Sequence, residues 1–175
     1  MATVAEIAAR IPGASVVGDG AVALAGMTHD SRAVEPGFLF AAMAGARSDG
    51  SRFIGEAVAA GAVAVLAGRP VALGVPCIVV PDPRTALGPA AAACYGDPTS
   101  RLGLIGVTGT NGKTTVTYLV EAALAAAGQR PGVIGTVEYR FEELRWNAAH
   151  TTPEAPVIQS VARRMLDLGA THLVI

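Results

Sequence analysis

The stretch R-L-G-L-I-G-V-T-G-T-N-G-K-T-T, Arg101 to Thr115, constrains this chain more than any other. A short apolar run predicts a buried strand, four glycines within ten residues predict a tight turn, and Thr114 to Ala127 reads as a helix ended by Gly128. Strand, glycine-rich turn and helix in immediate succession aim successive backbone N–H groups and the positive end of a helix at an anion. Gly109 and Gly112 let the backbone bend and approach that anion with no Cβ in the way. Lys113 would neutralise terminal phosphates, and the Thr114 hydroxyl would stand where Mg²⁺ needs a ligand. Lys113 is also the only lysine among thirteen Lys plus Arg residues. A compact ammonium on a flexible stem suits a phosphate reached through a narrow loop better than a planar guanidinium does.

The segments around this loop predict an α/β chain. After it come a second buried strand, R-P-G-V-I-G-T, and a helix over Glu154–Leu168 with Val157, Val161, Met165 and Leu168 on one face. Gly169 closes that helix before T-H-L-V-I opens another strand. This is the start of a parallel sheet, with about three of its strands supplied. His172 reads as a structural residue on its strand, and F-E-E-L-R-W-N as a polar hairpin-like excursion in which Trp146 has no chemical role.

Upstream, a short helix near Val4–Arg10, strands at A-S-V-V-G and Ala21–Gly26, and F-L-F-A-A-M precede a helix from Ser51. The runs A-V-A-V-L and C-I-V-V follow, making a small mixed α/β unit. Asp82 before Pro83 opens a capped helix, and G-D-P-T-S is a hinge. The expected division is residues 1–85 and 86–175.

Composition excludes several function classes. With 51% hydrophobic and 15% charged residues the chain is globular, and a net charge of −1 with scattered arginines offers no field for nucleic acid. No run approaches the ~20 apolar residues that span a bilayer, and no basic start precedes an apolar stretch, so a cytoplasmic protein is expected. Cys77 and Cys94 lack metal-ligand spacing and read as buried thiols.

The loop departs from the generic G-x-x-x-x-G-K-[ST] pattern, because Val107 stands where the first glycine belongs. As T-G-T-N-G-K-T-T it resembles the ATP loop of the Mur ligase family, the ligases that build the peptidoglycan precursor, a family that also includes folylpolyglutamate synthetase. The resemblance implies that Gly109, Thr110, Asn111, Gly112, Lys113, Thr114 and Thr115 contact ATP, with Lys113 catalytic and Thr114 also a magnesium ligand.

Two further segments carry the resemblance. In D-S-R-A-V-E-P-G-F-L-F followed by the polar turn near Asp49, residues 28–54, Asp30, Ser31 and Asp49 could be ordinary turn caps, or two polar loops could flank a strand and face one ligand. The pattern is similar to the UDP-sugar-binding domain of the family. It implies contacts from His29, Ser31, Ala46, Arg47 and Ser48, the middle pair standing where many members carry His-Gln. In H-T-T-P-E, His150, Thr151 and Thr152 precede a helix, where capping is the plain reading. The resemblance adds that they hold the muramoyl-peptide part of the substrate.

It implies, then, a small mixed α/β UDP-binding domain followed by the first part of a P-loop parallel-sheet ATPase domain. The implied reaction joins a diamino acid, meso-diaminopimelate or L-lysine, to UDP-N-acetylmuramoyl-L-alanyl-D-glutamate through an acyl phosphate, with ATP and Mg²⁺. A monomer is expected. The D-Ala-D-Ala-adding ligase, folylpolyglutamate synthetase and a non-catalytic UDP-sugar or ATP-binding module are the alternatives. The rest of the machinery would follow Ile175, so this piece alone is expected to be inactive.

Overall fold

Thr3 starts the first helix, α1 (Val4–Ala8), with a reciprocal cap. Its hydroxyl accepts from Glu6 N at 3.3 Å, and its own N–H donates to Glu6 Oε2 at 2.7 Å. The computed structural model describes residues 1–43, 49–147 and 153–175. It divides into two compact units, Met1–Gly96 and Asp97–Ile175.

In the first unit, β1 (Ser15–Val17), β2 (Gly26–Thr28), β3 (Phe38–Ala41), β4 (Ala64–Ala67) and β5 (Cys77–Val79) form one sheet in the order β1-β5-β4-β3-β2. Four strands are parallel and β1 runs antiparallel on the β5 edge. Helices α2 (Ile54–Ala59) and α3 (Pro83–Cys94) pack with the sheet, burying Ile54, Ala57, Ala86, Ala90 and Ala91. Leu39, Phe40, Leu66 and Ile78 form the fully buried centre. The expected strand over Ala21–Gly26 is corrected. Val22 O and Gly20 O accept from Val4 N and Ala5 N, so this segment spends its hydrogen bonds on the start of α1, and β2 begins only at Gly26.

Helix α3 belongs to this first unit. Asp82 caps it by accepting from Arg84 N and Thr85 N, as the Asp-Pro signal predicts. At its far end Tyr95 Oη accepts from Met27 N at 3.1 Å, tying α3 to β2. That packing carries the first unit through to Gly96, beyond the expected division at residue 85.

The second unit contains β6 (Gly103–Ile105), α4 (Lys113–Ala126), β7 (Pro131–Ile134), β8 (Glu138–Phe141), β9 (Leu144–Asn147), α5 (Ala155–Asp167) and β10 (His172–Val174). Its sheet order is β6-β10-β7-β8-β9. The three parallel strands expected are β6, β10 and β7, but the polar excursion is not peripheral to them. It is the antiparallel pair β8–β9, which extends the same sheet from β7. Phe141, Met165, Leu173 and Tyr139 fill the core beneath α5. The α5 face is centred on Ala162 and Met165, flanked by half-buried Val157 and Val161. Leu168 is 41% exposed, which corrects its assignment to that face: it occupies the helix's C-cap, where the chain is already turning toward Gly169. No helix among the described residues is long and apolar enough to cross a membrane.

Candidate functional site: a phosphate loop at the end of a parallel strand

Strand β6 pairs with β10 in parallel register, and the ladder continues past it, with Ile175 N donating to Ile105 O and Val107 N to Ile175 O. Beyond Val107 the chain leaves the sheet, and residues 108–112 are exposed. Two glycines make the turn. Gly109 has φ 149° and Gly112, at the N-cap of α4, has φ 78°. No side chain caps the helix at Gly112, so its first-turn N–H groups face the exposed loop. Lys113, the first helical residue, turns back over that loop, and its Nζ donates to Gly109 O at 2.6 Å. Thr114 and Thr115 stand exposed on the same turn, while buried Thr117 donates to Lys113 O at 2.8 Å.

Beside the loop lies a cavity of about 420 Å³, lined by Lys113, Thr114 and Tyr118 on one side and by Thr136, Val137 and Glu138 on the other. Arg140 also lines it. That side chain is only 5% exposed and donates to Glu121 through Nε and Nη2, at 2.9 and 2.6 Å from Oε2. Its guanidinium carbon lies 3.9 Å from the centroid of the Tyr118 ring. Burial lowers the Arg140 pKa, but the hydrogen bond and charge of Glu121, joined by Tyr118 and Glu138, together raise it above the ordinary value. Sequence reasoning missed Tyr118, Glu121, Glu138 and Arg140. The available signal was the two-residue spacing of Glu138 and Arg140 in E-Y-R-F, which puts both charges on one face of a strand.

In the first unit, the polar loops after β2 and β3 leave the same edge of the sheet, since these neighbouring strands are parallel. Open parallel sheets receive ligands along this carboxyl edge. His29 and Ser31 are half-buried there, Ser31 opening a single 3₁₀ turn. Asp30 has the capping role: it accepts from Arg32 N at 3.0 Å and from the Arg32 guanidinium at 2.9 and 2.7 Å, which holds its carboxyl down at about 2. Asp49 likewise caps the turn at Gly50–Phe53 by accepting from Ser51 N. A cavity of about 440 Å³, lined by Ala42, Asp49, Ser51, Ala67 and Arg69 among others, opens at the ends of β3 and β4. Ala46, Arg47, Ser48, His150, Thr151 and Thr152 lie outside the described residues.

As for magnesium, no cluster of three or more His, Cys, Asp or Glu side chains among the described residues could hold a metal ion. A lone Thr114 hydroxyl beside the Lys113 ammonium at a cavity wall fits a cation carried mainly by the oxygens of a bound phosphate.

Fold and loop together define an α/β protein of the phosphate-loop class. Comparison with known proteins makes the class specific: residues 23–95 match the model of the Mur ligase family catalytic domain and residues 107–175 that of the Mur ligase middle domain. The chain belongs to the Mur ligase family, whose members are ATP-dependent ligases joining an acid to an amino acid.

Among its relatives, the UDP-N-acetylmuramoyl-L-alanyl-D-glutamate–2,6-diaminopimelate ligase of Geobacillus thermodenitrificans is 46% identical over 160 residues. That match covers 91% of this chain and 33% of the relative. The ligase of the same name from Streptomyces coelicolor is 47% identical over 156 residues, covering 86% and 31%. A solved structure of a UDP-N-acetylmuramoyl-L-alanyl-D-glutamate–2,6-diaminopimelate ligase superposes with a TM-score of 0.69 at 29% identity, over 87% of this chain and 32% of that one. The MurF ligase of Thermotoga maritima, in complex with ADP, gives a TM-score of 0.57 at 25% identity, over 85% and 30%. The chain thus spans about a third of the length of the relatives it matches.

Proposed function

We propose that this chain supplies the UDP-sugar-binding unit and the phosphate loop of an ATP-dependent ligase of peptidoglycan precursor synthesis. The ligase adds a diamino acid to UDP-N-acetylmuramoyl-L-alanyl-D-glutamate. The names of the relatives favour 2,6-diaminopimelate over L-lysine as that amino acid. The observation that carries the reading is the exposed loop at Gly109–Lys113. It brings together an ammonium, a helix start without a side-chain cap and a neighbouring cavity large enough for reacting groups.

In this mechanism Gly109, Thr110, Asn111 and Gly112 present backbone N–H groups to the phosphates of ATP, and Thr114 and Thr115 add the amides of the first helical turn. Lys113 exchanges the Gly109 carbonyl for phosphate oxygen. It neutralises the charge that accumulates as the γ-phosphoryl group passes to the substrate carboxylate, giving an acyl phosphate. The amine of the diamino acid then attacks that carbonyl carbon and phosphate leaves. Two anions must approach one another, so lowering their repulsion is the protein's main task. Mg²⁺, held by the phosphates and the Thr114 hydroxyl, would supply further positive charge there. On the first unit, His29 and Ser31, together with Ala46, Arg47 and Ser48, hold the UDP-sugar. His150, Thr151 and Thr152 hold the muramoyl-peptide end.

The test uses the full-length protein with ATP and UDP-N-acetylmuramoyl-L-alanyl-D-glutamate, following phosphate release on adding 2,6-diaminopimelate or lysine. Release should depend on one of the two amino acids, and Lys113→Ala should remove most of it. An ordinary turnover rate for that variant would overturn the role of Lys113, and no release with either amino acid would overturn the reaction. The isolated 175-residue chain should form no amide product.

A further inference from the structure

Whatever fixes α4 fixes Lys113 and Thr114, because both lie in its first turn. Within these 175 residues, which span about a third of the relatives' length, little of α4 is covered. Thr117 is its one buried residue, and Val116, Tyr118 and Leu119 are 44%, 50% and 64% exposed. A buried polar clamp reaches α4 from the sheet. Arg140 projects from β8, stacks on Tyr118, and grips the Glu121 carboxylate with Nε and Nη2. Glu138, two residues away on the same strand face, sets its Oε1 3.6 Å from the remaining Arg140 nitrogen, so the guanidinium is held from two sides.

Tyr118 lies one helical turn beyond Thr114, and Glu121 three residues further on, so the clamp engages the segment that follows the phosphate loop directly. A planar fork donating to a carboxylate restricts both rotation of the helix about its axis and sliding along it. An ammonium in the same place would restrict neither as well.

We infer that Arg140 is a positioning residue for the phosphate loop: through Glu121 and Tyr118 it sets where α4 presents Lys113 and Thr114. This rests on the reading of residues 109–115 as the ATP site. A displacement of about 1 Å at such a site reduces turnover by up to roughly a hundredfold, so a remote clamp of this kind has a measurable effect.

The experiment compares Arg140→Lys, Glu121→Gln and Lys113→Ala in the full-length protein. It records kcat, the KM for ATP and the KM for the UDP-sugar substrate, and also nucleotide binding and thermal unfolding. Arg140→Lys keeps the charge and loses the fork, whereas Glu121→Gln keeps the shape and loses the charge. Two variants are compared so that either is informative if the other unfolds. Both should lower kcat about tenfold or more, raise the KM for ATP and leave the KM for the UDP-sugar unchanged. A purely structural role would instead lower the melting temperature with no split between the two KM values, and that outcome overturns the inference. An unchanged KM for ATP in both variants also overturns it, provided Lys113→Ala has lost nucleotide. Should Lys113→Ala bind nucleotide normally, the phosphate-loop reading itself fails, and the inference with it.

Discussion

Gly112 offers the cleanest perturbation of the loop. Its φ of 78° and ψ of −3° are left-handed, and a Cβ built there meets no atom within 4 Å. Gly112→Ala therefore introduces no clash, and its cost is the backbone strain of an L-residue in that region, about 1–2 kcal/mol. Two outcomes are open to the chain. If the loop keeps its shape, the variant loses about 1–2 kcal/mol of stability, which moves the urea midpoint by that loss divided by the denaturant slope, roughly 0.5 M or less for a chain of the relatives' full length. If the loop relaxes to negative φ, stability is retained, but the amides of residues 112–114 leave the anion, and affinity for nucleotide falls by the same free energy, roughly 5–30-fold. Gly112→Asn should suffer less by either route, since asparagine tolerates left-handed backbone better than alanine. Urea unfolding and calorimetric titration with ATP on the full-length protein read both routes. A Gly112→Ala variant with parental stability and parental nucleotide affinity together would refute the argument, because the strain would then have gone nowhere.

Two further outcomes follow from the first unit. Asp30 titrates near 2 in the folded state, against an ordinary 3.8, because it is hydrogen-bonded to Arg32. A depressed carboxyl pKa stabilises the fold fully above 3.8 and loses that contribution as pH falls toward about 2. Asp30→Asn should therefore cost on the order of 1 kcal/mol at neutral pH, a modest figure because Arg32 is well exposed. The gap from the parent should close across that acidic window in urea unfolding, and a gap that widens on acidification would contradict the pairing. Cys77 and Cys94 are buried, and desolvation pushes the Cys94 thiol up to about 11. Ellman's reagent should therefore titrate neither until denaturant is added, and stoichiometric labelling of the native protein would show that one of them is reachable.

The features legible in the sequence were those written in consecutive residues. The positions of strand β6, the glycine turn and the start of α4 could be read because apolar run, glycine spacing and Lys-Thr are all local, and the helix starts within one residue of expectation. The expected burial of that strand is corrected, since β6 lies at the sheet edge with Leu104 52% exposed. The Asp82 cap and the Asp30 and Asp49 turns were visible for the same reason: an Asx cap acts two or three residues along the chain. What failed depended on partners far away. Nothing in A-V-A-L-A-G says that its carbonyls will be taken by the N-terminal helix instead of a neighbouring strand, and an apolar alternating run satisfies both uses. Leu168 was misplaced by extending a helical period one residue past the helix's end.

The same distinction explains the site. In the sequence, F-E-E-L-R-W-N, residues 141–147, reads as a polar hairpin-like excursion, and no role falls to the charges just before it, Glu138 and Arg140, which the structure places in the clamp. Glu121 and Arg140 are nineteen residues apart, and only the pairing of β8 with β7 brings that arginine alongside α4. A sequence motif names the groups that touch a ligand because their spacing is set by the ligand. The groups that hold the motif still are set by the fold, and their spacing in the chain has no reason to repeat. In this protein the phosphate loop was therefore readable from ten residues, while its support became visible only once the sheet had been assembled.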